Sequence, residues 1–312
     1  MPSGVDVDEQ VHFPGARRPD RQYRLDAHGV GIAVSEWGAS DDQPLLLVHG
    51  GFDFAGTYDV FAPMLAAQGF RVIAWDQRGH GDSDHAHLYG WDADLRDALV
   101  VLDHVGTAPV PVIGHSKGGS LIIQVADAQP YRFSHMVNLD GIPCKKRAPD
   151  IAEHDRTTMV AKDIEAWLDH RRRTALASRK PDTLDGLARR RQRINPRLSV
   201  DWLRYLVTVG GRRDDDGWRW KLDPSMRFGG FGPWRPEWTQ MRLPGIEVPF
   251  LGVLVSESEE MGWGTTPDEL TGWVPPRGHI ELVEGAGHFV HIEQPQLVLD
   301  LVMNLLNGNT AR

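Results

Sequence analysis

Short apolar runs recur along this chain with helix-period segments between them, and that rhythm leaves few folds open. Leu45–Val48 is continuously apolar, and Phe250–Val255 is apolar around one glycine. Runs of this kind read as strands buried on both faces, as in a parallel sheet covered by helices. Further strand-like segments are Gln22–Leu25, Gly31–Trp37, Arg71–Trp75, Val110–Ile113, Met136–Leu139 and His279–Val283. Helical spacing predicts helices over Ala93–His104, Gly119–Ala128 and Gln294–Leu306. Strands and helices alternating in this order predict an α/β fold, with a mostly parallel central sheet and helices on both faces.

The middle of the chain breaks the rhythm. Ala161–Thr174, Leu184–Ile194 and Ser199–Val209 are all helical in pattern, with irregular connections expected around Gly210-Gly211, Asp214–Gly217 and Gly229–Pro236. Charge marks the same region. Residues 145–245 hold 23 of the 34 Lys and Arg but 14 of the 43 Asp and Glu, a net of +9 against −18 for the remainder. A helical cap over 145–245 is therefore expected, inserted into a core of 21–144 and 246–312. The polar first 20 residues, bearing Pro and Gly, read as an extended or partly disordered arm. The Arg171–Arg173 and Arg189–Arg191 runs alternate with Asp and apolar residues at helical spacing, so solvated helix faces explain them without nucleic acid.

The single cysteine, Cys144, excludes an intrachain disulfide. The start of the chain lacks the basic and apolar stretches of a signal peptide, and no apolar run reaches the roughly 18 residues of a membrane span. A cytoplasmic location is expected, with no membrane partner.

Gly114-His115-Ser116-Lys117-Gly118 lies between an apolar strand and a predicted helix. On such a turn the serine hydroxyl is pushed clear of the backbone, and flanking glycines let strand and helix pass closely. Ser116 is thus a candidate nucleophile, and a serine needs a base that is itself oriented by a third group. His288, in the glycine-rich loop Glu284-Gly-Ala-Gly-His after the last strand, is the candidate base; His291 reads as structural. Two N–H donors are needed for an oxyanion. The Lys117 amide supplies one, and the loop His49-Gly50-Gly51-Phe52 the other, through Gly51 or alternatively Phe52. The segment Asp76–Ser83 reads as a turn former beside the site. His80, His85 and His87, near Asp82 and Asp84, lack a fixed ligand spacing, so no metal is expected there.

In this order His49-Gly50-Gly51, Asp76-x-Arg78-Gly79-His80-Gly81-x-Ser83, Gly114-x-Ser116-x-Gly118 and Gly287-His288-Phe289 resemble the α/β-hydrolase superfamily over roughly residues 22–306. The resemblance implies the α/β-hydrolase fold, with the cap inserted between sheet strands six and seven. Leu187–Ser199 and Gly217–Pro224 look similar to the serine-hydrolase-like branch. Relatives with Asp at the nucleophile position are epoxide hydrolases or haloalkane dehalogenases, whereas serine there implies acyl transfer. Most members place the triad acid after strand seven, where this chain has Ser256-Glu257-Ser258-Glu259-Glu260. Others place it after strand six, where Asp140 stands. Asp140 follows an apolar strand and needs a partner if buried, but Glu257 and Glu259 stay open as alternatives.

The reading is a cofactor-independent serine hydrolase acting on a carboxylic ester, lactone or related acyl bond of a small molecule. Hydrolysis of a carbon–carbon bond in a diketone uses the same residues and is one alternative; a small-molecule receptor with marginal turnover is another. Eleven tryptophans, among them Trp202, Trp218, Trp220, Trp234 and Trp238 in or near the cap, suggest an aromatic or hydrophobic substrate between cap and sheet. Either a monomer or a homodimer is compatible with the sequence.

Overall fold

The computed structural model describes residues 11–143, 153–226 and 236–309. The chain runs β1 (Arg21–Asp26), β2 (Gly31–Trp37), β3 (Gln43–Val48), α1 (Phe61–Ala66), β4 (Phe70–Trp75), α2 (Trp91–Val105), β5 (Val110–His115), α3 (Lys117–Ala128) and β6 (Phe133–Leu139). A second block follows: α4 (Glu153–Thr174), α5 (Leu184–Gln192), α6 (Val200–Gly210), β7 (Gly211–Asp214), β8 (Gly217–Trp220) and α7 (Pro236–Arg242). The chain then completes the sheet with β9 (Phe250–Val255) and β10 (Gly278–Val283), and ends in α8 (Val290–Glu293) and α9 (Pro295–Leu306).

Eight strands form one sheet in the order β1-β2-β4-β3-β5-β6-β9-β10. Only β2 pairs antiparallel with its neighbours; all later pairings are parallel. Strand alternation divides the apolar run of β3 between two cores. Leu46 and Val48 pack with α2 and α3 on one face, while Leu45 and Leu47 pack with α1 and α9 on the other. Burial on both faces is why this run shows no polar alternation.

The cap block lies between the sixth and seventh sheet strands, and its α5 and α6 build a third apolar cluster. Leu187, Trp202, Leu203 and Leu206 close there over Phe54 and Phe289, which belong to loops of the core. Three features depart from the expected layout. Gly210–Trp220 holds the hairpin β7/β8 instead of an irregular connection, turning at Asp214–Gly217 with Gly217 at φ +130°; its strands are too short and too charged to show an alternation. Leu243, placed by the expected boundary in the cap, already packs in the α2/α3 core right after α7. The arm residues 11–20 are fastened: Phe13 meets Trp202 edge-on at 4.9 Å, and Arg17 O accepts from Trp37 Nε1 at 3.0 Å. The stretch Gly229–Arg235, Trp234 included, and the Trp238 side chain lie outside the described residues. Among the described residues no helix is long and apolar enough to cross a membrane.

Candidate active site

Ser116 links β5 directly to α3 with φ +52° and ψ −119°, a left-handed backbone that a non-glycine residue adopts only where its surroundings enforce it. Two glycines make the turn possible. A Cβ on Gly114 would stand 2.6 Å from Gly118 O, and one on Gly118 would stand 2.2 Å from Val48 O. Gly50 closes in from β3, where an added Cβ would meet Ser116 Cβ at 3.1 Å. The serine N–H is tied to Leu139 O at 3.0 Å, so the turn is anchored on the neighbouring strand β6.

Asp140 follows β6 and also has positive φ, +43°. Its Oδ2 accepts from His288 Nδ1 at 2.5 Å, with both side chains 2% exposed. A carboxylate on Nδ1 fixes the tautomer and leaves Nε2 as the proton acceptor. His288 sits in the loop between β10 and α8, its carbonyl accepting from His115 Nε2 at 2.8 Å. Ser116 Oγ makes no hydrogen bond to His288; such bonds lengthen in ligand-free enzymes and tighten around substrate.

The two glutamates sit elsewhere. Glu257 is half exposed on the loop after β9, 4.0 Å from Arg197, and does not reach the imidazole. Glu259 turns inward, but its Oε2 accepts from the His288 main-chain N–H at 2.7 Å. It holds the loop rather than the ring. Burial raises its carboxyl pKa, partly offset by that hydrogen bond.

The loop after β3 carries the two expected oxyanion donors. Phe52, at φ +61°, donates its N–H to His80 Nε2 at 3.2 Å, so this alternative donor is already committed. The Gly51 amide has no acceptor among the described residues. The Lys117 amide opens helix α3, where first-turn N–H groups have no intrahelical partner. The Lys117 side chain points away into a buried polar layer, bonding Gln77 Oε1 at 2.6 Å and Asp94 Oδ2 at 2.7 Å. Gln77 in turn donates to His49 O at 2.6 Å and through its N–H to His49 Nε2 at 2.9 Å.

That layer is built on Asp76–Ser83. Asp76 accepts from the Ala55 and Asp82 amides at 2.6 and 2.7 Å, and Arg78 pairs bidentately with Asp97, both bonds 2.6 Å. Burial lowers the His49 and His291 pKa values to about 3 and drives His80 and His115 well down, so all four are neutral imidazoles. His85 lies apart, with Nε2 bonded to Lys221 O at 3.0 Å.

Two cap arginines reach down to these loops, and one of them, Arg191, was expected on a solvated helix face. Arg197 donates to Glu293 at 2.7 Å and to Gly285 O at 2.6 Å, bracing the His288 loop. Arg191 donates to Phe52 O at 2.9 Å, bracing the loop after β3. Such pairs join residues roughly a hundred positions apart, with no motif to link them. A chamber of about 450 Å³ lies between cap and core here, walled by Phe52, Met261 and Trp220 among others.

A serine turn after a central parallel strand, a buried His–Asp pair from two later strand ends and a lid inserted in the sheet define a capped α/β hydrolase. Residues 45–301 match the alpha/beta hydrolase family, and the chain belongs to it. It is 26% identical over 266 residues to the sn-1-specific diacylglycerol lipase ABHD11 of Mus musculus, covering 84% of this chain and 80% of that protein. A serine hydrolase-like protein of Dictyostelium discoideum is 34% identical over 142 residues, which span 42% of this chain and only 39% of that relative. Among solved structures, the thioesterase domain from the curacin biosynthetic pathway superposes with a TM-score of 0.76 at 23% identity, covering 91% of this chain and 99% of that one.

Proposed function

We propose that this hydrolase is a serine hydrolase of carboxylic esters, lactones or related acyl compounds, with Ser116 as nucleophile, His288 as base and Asp140 as the acid behind it. His288 Nε2 takes the Ser116 proton as Oγ bonds to the acyl carbon. The carbonyl oxygen, now an oxyanion, is met by the amides of Gly51 and Lys117. Collapse of the tetrahedral species expels the leaving group with the proton held on His288. Water, deprotonated by the same imidazole, then opens the acyl-enzyme and restores Ser116.

The observation that carries this reading is the 2.5 Å bond between His288 Nδ1 and Asp140 Oδ2, buried beside a serine held at φ +52°. The lipase activity named for the mouse relative supports chemistry at an acyl carbon. Intact-mass analysis with a fluorophosphonate tests it. One probe per chain, mapped to Ser116 and absent from Ser116→Ala, is expected together with loss of p-nitrophenyl butyrate hydrolysis in that variant. Unlabelled parent protein, or a Ser116→Ala enzyme with parental turnover, overturns it.

A further inference from the structure

The cap wall of the chamber beside the oxyanion loop is cationic. Arg179, Lys180, Arg190 and Arg191 line it, and no carboxylate does among the described residues. Arg190 is ion-paired with Asp182. The other three have no carboxylate within ion-pair distance among the described residues.

Arg179 is held by main-chain oxygens instead, Nε donating to Leu222 O at 3.2 Å and Nη2 to Asp223 O at 2.7 Å. Arg191 spends one Nη on Phe52 O and keeps a buried Nε with no acceptor. Lys180 is exposed at the rim. Burial pulls the Arg179 and Arg191 guanidinium pKa values down, and the opposing charges of Asp223 and Asp53, neither within ion-pair distance, do not restore them. A guanidinium fork matches a carboxylate or phosphate, and that anion would offset the cost.

Position ties this cluster to the reacting centre. Phe52 is the residue after Gly51, and Met261 precedes Gly262, whose added Cβ would lie 3.5 Å from Asp140 Oδ2. An acyl stem lying along Phe52 and Trp220 would run from the loop that carries Gly51 to the cations. Resting on the serine-hydrolase reading above, we infer that the substrates are acyl esters or thioesters with an anionic terminus, a carboxylate or a phosphate, seated by Arg179, Lys180 and Arg191.

Matched pairs test this: mono-p-nitrophenyl glutarate against p-nitrophenyl valerate, and S-butyryl-4′-phosphopantetheine against S-butyrylpantetheine. In at least one pair the anionic member is expected to have a kcat/KM about 10- to 100-fold higher, mostly through KM and weakening with added salt. The first pair reports a carboxylate and the second a phosphate. Arg179→Gln combined with Lys180→Gln should bring the anionic-to-neutral ratio toward one. Arg172→Gln, which removes an exposed cap charge paired with Asp169, should leave it unchanged. Equal or better turnover of both neutral members, with Ser116 labelled normally, overturns the anion site and spares the serine reading. If Ser116 is unlabelled and no ester reacts, the serine reading fails, and calorimetric titration with glutarate and inorganic phosphate decides the site. Binding lost in the Arg179/Lys180 double variant then supports it, and no binding at millimolar concentration overturns it.

Discussion

Asp140→Asn separates a carboxylate that works through the imidazole from one that merely fills the end of β6. In the transition state His288 becomes an imidazolium facing the carboxylate across a 2.5 Å bond, both side chains 2% exposed. With charge centres about 4 Å apart and an effective dielectric near 20, that attraction is about 4 kcal/mol. At about 1.4 kcal/mol per decade, a loss of roughly 10³ in kcat/KM follows. The substitution is clean in two respects. Asparagine is nearly isosteric, and like aspartate it tolerates the φ of +43° found at this position. The assay is p-nitrophenyl butyrate hydrolysis under pseudo-first-order conditions, with circular dichroism to verify folding. Glu257→Gln, on a half-exposed side chain, should stay within about twofold of parent. Glu259→Gln should lose roughly three- to tenfold, since the amide oxygen still accepts from the His288 N–H but without charge. A folded Asp140→Asn enzyme retaining more than about a tenth of parental kcat/KM, or losing less than either glutamate variant, refutes the reasoning.

Lys117→Met leaves Asp94 charged and buried without the 2.7 Å ammonium partner, so urea unfolding should show a loss of about 3 kcal/mol, largely restored by adding Asp94→Leu; an unchanged midpoint in the single variant refutes the role. His291 is buried with both ring nitrogens unbonded and its pKa held near 3 against 6.5 unfolded, so its contribution to stability is complete above pH 6.5 and is lost as pH falls toward 3. His291→Phe removes that linkage, and between pH 7 and pH 4.5 the variant should lose about 2–3 kcal/mol less stability than the parent by denaturant titration; parallel pH profiles would count against it.

All eight sheet strands are readable in the sequence, the central ones as unmixed apolar runs and the edge strand β1 as an alternation, and their observed bounds differ from the expected ones by a few residues at most. The cap helices α5 and α6 were equally plain, with Thr183 and Ser199 side chains capping their first turns. What stayed hidden has physical reasons. Helix α1 is six residues long, too short for a period to emerge. The hairpin β7/β8 carries arginines on its strands and pairs only with itself. The choice among Asp140, Glu257 and Glu259 could not be made from spacing, because each follows a strand end. Side-chain direction separates them: Asp140 bonds the ring, Glu259 the main-chain N–H of the same residue, and Glu257 is half exposed.

Strain is concentrated where the chemistry is proposed. Four non-glycine residues have positive φ among the described residues: His28 in the β1–β2 turn, and Phe52, Ser116 and Asp140. The last three follow β3, β5 and β6, which are adjacent in the sheet although their sequence positions span almost ninety residues. Each such backbone costs of order 1–3 kcal/mol and persists only when its surroundings over-determine it. Here the surroundings are specific bonds. Ser116 N–H is held by Leu139 O and Asp140 N–H by Val253 O, so each turn is fixed by the next strand over. Phe52 is held instead by side chains, its N–H by His80 and its carbonyl by Arg191 of the cap. The Phe52 turn is therefore braced by the cap, and the arginine that supplies this support also lines the proposed anion chamber.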